Sequence, residues 1–145
     1  MRNEHDGVAE LRRAESLFER VTDTNTPKWA AHWSEAVFST YAGTMWVDLG
    51  KPREAYGPLK LAWDAASDQP RRRVYSTGQL AKVAVLNRDI EQAATLGLEA
   101  AVSTSRQESK RSLQVIRDLD RQLKPHAKQP KVREFRERAR LLLAG

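Results

Sequence analysis

GTMWVDLGKPREAYGPLKLA, residues 43–62, reads as one helix, a tight turn and a second helix folded back on the first. Gly43 and Trp46 share a helical face, small then large. Leu49-Gly50 closes the helix, because glycine accepts the left-handed conformation that ends helices. Pro52 opens the next helix, where its missing N–H costs nothing. Ala55 and Leu59 follow at i and i+4, and Ala62 comes three further on, a narrow stripe with room for a close neighbour.

This spacing resembles the tetratricopeptide repeat, a helix–turn–helix unit of about 34 residues. Moving 38 residues along the chain sets Ala81 on Gly43, Ala84 on Trp46, Ala93 on Ala55, Gly97 on Leu59 and Ala100 on Ala62. The second copy keeps the small positions and loses the large ones. Arg88 stands where Gly50 stood, so its turn is made without glycine, with Asn87 expected to take the left-handed conformation. The expected fold is all-α: antiparallel helix pairs stacked as a short right-handed solenoid of about seven helices, in one domain over residues 1–145.

The rest of the chain extends that pattern. Val8, Leu11, Phe18 and Val21 predict an opening helix over 7–22, a cap or the second half of a repeat. Repeat one spans 27–67. Its first helix holds Trp29, Trp33, Phe38, Tyr41 and Trp46, most of the aromatic mass, with a stripe of Trp29, Trp33, Ala36, Val37 and Thr40. Core packing is the plainer account of that stripe; the alternative is that Trp29 and Trp33 line a groove. In its second helix Pro58 lies beyond the first turn, which predicts a kink or a broken turn at Gly57-Pro58. Repeat two spans 71–103 and opens on Arg71-Arg72-Arg73, read as solvated arginine rather than an anion site. A closing helix pair covers 107–143, broken at residues 124–130, KPHAKQP.

At 145 residues and 40% apolar content the chain can bury a real core. Its longest apolar runs are a few residues, far below the roughly 20 that span a bilayer, so a cytoplasmic protein with no membrane association is expected. The absence of cysteine excludes disulfides and thiol chemistry. The net charge of +6 is uneven: residues 106–145 carry twelve Lys/Arg against five Asp/Glu, and residues 1–105 thirteen against fourteen. A solvated helix face is the first explanation of the basic end; contact with nucleic acid or an acidic protein is the second.

Catalytic chemistry needs converging groups, and the sequence offers few. His5, His32 and His126 lie far apart without metal-ligand spacing, and there is no phosphate loop or nucleophile elbow. Neither a catalytic residue, a metal nor a cofactor is expected. Stacked repeats bind on the concave side made by the first helix of each pair. That geometry assigns Val37, Thr40, Thr44 and Val47 to a groove from one unit and Tyr75, Gly78, Lys82 and Val85 from the next. Lys110, Arg117 and Arg121 follow from the third. Filling the helix interfaces is the competing role for each of these residues.

Three segments, WVDLGKPREA (46–55), PRRRVYSTGQLAKVAVLNRDIEQAATLGLEAA (70–101) and SLQVIRDLDRQLKPHAKQPKVREFRERAR (112–140), carry a further likeness. Together they resemble the C-terminal tetratricopeptide-like region of actinobacterial Xre-type helix–turn–helix regulators, from about Ala9 onward. The resemblance implies the sensing, dimerising or partner-binding part of a transcription regulator. No segment reads as its DNA-binding domain, so DNA would be reached only indirectly, and the chain is either a fragment or a free-standing relative. The expected partner is a peptide or protein, or a small amphipathic ligand, with a homodimer as a further expectation. The rival functions are a free-standing adaptor between two proteins and a nucleic-acid binder using the basic C-terminal helices.

Overall fold

The computed structural model describes residues 7–9, 12–13, 28–104 and 110–144, with residues 28–34 described through their backbone only. Among them are α1 (Lys28–Asp48), α2 (Pro52–Ala65), α3 (Pro70–Leu86), α4 (Ile90–Ser103), α5 (Lys110–Leu123), a 3-10 turn (Lys124–His126) and α6 (Pro130–Leu143), with no strand. The all-α class expected from the sequence is the class observed. Residues 7–9 and 12–13 are helical. The rest of the expected opening helix, and residues 105–109 ahead of α5, lie outside the described residues.

Proline and aspartate place the helix starts. Pro52, Pro70 and Pro130 each open a helix, where no intrahelical N–H is required. Asp89 caps α4, its carboxylate accepting from the Gln92 backbone N–H at 3.3 Å. The turns after α1 and α3 are one turn made twice. Lys51 N–H donates to the Trp46 carbonyl at 2.8 Å and Gly50 N–H to Val47 at 2.9 Å; Asp89 N–H donates to Ala84 and Arg88 N–H to Val85, both at 2.9 Å. Each bond recurs 38 residues on, and the pattern is the Schellman closure.

That closure requires a left-handed residue, which is Gly50 at φ 70° and Arg88 at φ 61°. The expectation that Asn87 would take this role is wrong: Asn87 has φ −81° and ψ 0°. The hydrogen bonds fix the turn's register, and Arg88 occupies the position of Gly50 whatever its side chain.

Each helix packs on the next from α1 to α4. Beyond these sequential contacts, α1 touches α3, α3 touches α5, and α4 touches α6. Three glycines mark close crossings. A Cβ on Gly43 would lie 2.5 Å from Leu59 side-chain carbons, one on Gly78 2.5 Å from Val115 Cγ1, and one on Gly97 3.0 Å from the Phe135 ring. The larger apolar core joins α3 to α6 and contains Ile116, Leu119, Leu123, Val132 and Phe135; a smaller one around Leu59 and Leu80 joins α1, α2 and α3. The repeat-defining Ala55, Leu59, Ala62, Ala81, Ala93 and Ala100 are all buried, and Trp46 is half-buried against the smaller core.

Of the kink or broken turn expected at Gly57-Pro58, the broken turn does not occur: α2 runs unbroken through Pro58. Two local facts account for this. Gly57 brings no Cβ for the proline ring to crowd, which removes much of the penalty on a helical residue before proline. Ala55 and Leu59, both fully buried, hold the helix to the core on either side.

Candidate binding cavity

A cavity of about 640 Å³ opens between the middle of α1, the first turns of α3 and the start of α5. It is lined by Val37, Thr40, Tyr41 and Thr44 from α1, by Arg71, Arg72 and Tyr75 from α3, and by Arg111 from α5. On α1 the lining positions fall at i, i+3, i+4 and i+7, one continuous helical face. On α3 Arg71 and Arg72 sit four and three residues before Tyr75, so the first turn extends the tyrosine's face toward α1.

Tyr75 is the joint of the site. Its hydroxyl accepts from Gln79 Nε2 at 2.9 Å and shares a hydrogen bond with Thr44 Oγ1 at 3.1 Å, tying α3 to α1. The Arg111 guanidinium lies over its ring, 4.1 Å from the centroid, tying α5 to both. Thr40 turns its hydroxyl back to the Ala36 carbonyl at 2.9 Å. Val37 and Tyr41 are each 41% exposed, an apolar pair at the rim.

A second set of charges lies further along α3 and α5. Lys82 Nζ donates to Asp118 Oδ2 at 2.9 Å, Arg121 and Gln114 donate to Asp118 Oδ1 at 3.3 and 2.9 Å, and Arg117 donates to Gln114 at 3.1 Å. Burial of Asp118 pushes its carboxyl upward. The hydrogen bonds from Lys82 and Gln114, with the charges of Lys82 and Arg121, outweigh burial, and the group ends below its ordinary value of 3.8.

The structure therefore divides the expected groove. Val37, Thr40, Thr44 and Tyr75 come together around the cavity. Val47, Gly78 and Val85 pack into helix interfaces instead. Lys82 is 9% exposed and spent on Asp118, while Arg117 and Arg121 point to the same polar cluster rather than the cavity. The side chains of Trp29 and Trp33 lie outside the described residues, although both backbones belong to α1.

Sequence reasoning missed Tyr41, Arg71, Arg72 and Arg111. The first three were within reach by extending each helical face one turn. Arg111 was not, since the rotation of α5 depends on how Val115 meets Gly78. The solvated-arginine expectation for residues 71–73 is corrected at Arg73, while Arg71 is exposed and Arg72 half-buried. Arg71 and Arg72 line the cavity, and Arg73 stacks 3.7 Å from the Trp63 centroid, with Lys60 4.1 Å from that same centroid. Trp63 Nε1 donates to Thr77 Oγ1 at 3.0 Å, completing that contact between α2 and α3.

Among the described residues, no group of three His, Asp or Glu is arranged to hold a metal ion, and no helix is long and apolar enough to cross a membrane. No protein-family model, curated protein or solved structure matches the chain.

Proposed function

We propose that this chain is a non-enzymatic binding domain of the tetratricopeptide-like kind, a right-handed stack of helix pairs that takes a ligand or partner on its concave side. The cavity between α1, α3 and α5 carries this reading, because these would be the first helices of successive pairs, and such stacks bind along their first helices. The identical turn closures 38 residues apart support the repeat. The likeness of residues 46–55, 70–101 and 112–140 to Xre-type regulators adds the role: the sensing or interaction part of a cytoplasmic transcription regulator.

Binding would work through the α1–α3 seam. The Thr44–Tyr75 hydrogen bond crosses it and the Arg111–Tyr75 stack joins the same tyrosine to α5, so an occupant that prefers one seam geometry shifts the population of the whole stack. Native mass spectrometry of the protein purified from its own host, beside Thr44→Arg, tests the proposal. The native chain should retain an added mass that the variant, with a long side chain in the cavity, loses while melting at a similar temperature. An identical species on both proteins, or none on either, would overturn it. A co-purified protein lost in the variant would make the domain an adaptor.

A further inference from the structure

The cavity has a chemical preference written into its lining. Its volume of about 640 Å³ is that of a small-molecule site, which typically runs from about 300 to 1,000 Å³. Three of its eight described lining residues are arginines and none of the eight is acidic.

Arg111 is the group best prepared to use that charge. Its guanidinium spends a face on the Tyr75 ring, and stacking leaves the edge N–H groups, which match the two oxygens of a carboxylate. Among the described residues no carboxylate pairs with it. The ring beneath it is held by Gln79 and Thr44, so the cation sits on a fixed platform. In the lining of the same cavity, Val37 and Tyr41 present apolar surface to solvent.

We infer that the cavity takes a small amphipathic carboxylic acid, its carboxylate on the edge of Arg111 and its apolar body along Val37, Tyr41 and the Tyr75 ring; this rests on the binding role proposed above. A neutral apolar ligand would cover Arg111 without answering its charge. A highly charged one would leave the apolar rim uncovered.

The test is calorimetric titration of the full chain with naphthoate and, separately, with naphthamide, which has nearly the same shape and no charge. Naphthoate should bind one molecule per chain, about tenfold or more tighter than the amide, as expected for a charge-assisted bidentate pair. Arg111→Gln should erase that difference, Arg111→Lys should keep part of it, and Arg138→Gln, on the exposed side of α6, should leave it intact. Equal binding of the two compounds overturns the acid preference while leaving the cavity as a binding site. A loss in Arg138→Gln as large as in Arg111→Gln reduces the effect to net charge and also overturns it. Binding of neither compound overturns the inference, and the mass retained from the host then decides the binding role separately.

Discussion

Arg88 is a side chain in a glycine's place. At φ 61° it sits in the left-handed region, which costs an ordinary residue roughly 1–2 kcal/mol. Glycine would remove that strain and return about 0.5–1 kcal/mol to the unfolded chain's freedom. Arg88→Gly should therefore stabilise the fold by several tenths to about 1 kcal/mol. Chemical denaturation checks this: the midpoint should rise with an unchanged slope. A lower midpoint would mean that the arginine side chain contributes more than its backbone loses. Gly50, 38 residues earlier, shows the relaxed form of the same turn at φ 70°.

Between elements, the contact that most departs from the sequence reading is Lys82 with Asp118. Their side chains are 11% and 19% exposed, and they join α3 to α5 beside the Gly78–Val115 crossing. Asp118 has a depressed folded value, so it contributes stability above its unfolded value near 3.8 and loses it as pH falls through the folded one. Asp118→Asn should cost about 1–3 kcal/mol near neutral pH, the usual size for a hydrogen bond to a charged group. Melting curves across pH should show the native chain and the variant converging only below about 3.8. A gap that is constant through that range would remove ionisation of Asp118 from the account.

For the molecule as a whole, α3 is the central member. It packs on α1, α2, α4 and α5, and ten of its seventeen residues are buried. Stacked helices share stability with their neighbours, so the most-surrounded helix should open last. Hydrogen exchange should be slowest over residues 76–84 and faster toward α1 and α6. Slowest exchange in α6 instead would show that the larger core around Phe135 sets the order. The same placement explains why the cavity sits on α3: it packs on both α1 and α5, which supply the other lining residues.

What the sequence determined by itself is local. Four of the six helices α1–α6 begin at a proline or a capping aspartate, the two equivalent turns fall 38 residues apart, and Ala55, Leu59, Ala81 and Ala93 face inward, because helical period and backbone geometry act over a few residues. Four of the cavity's eight described lining residues were legible for that reason: Val37, Thr40, Thr44 and Tyr75 follow from facing alone. Of the kink or broken turn expected at Pro58, the broken turn is absent because burial of Ala55 and Leu59 outweighs a local conflict. Which cations serve the cavity was decided only by tertiary structure. Lys82 and Asp118, like Tyr75 and Arg111, are 36 residues apart, and the rotation of α5 against α3 assigns each cation its partner. That rotation is set by Val115 seating on Gly78, a packing event between helices that no single helix's pattern contains.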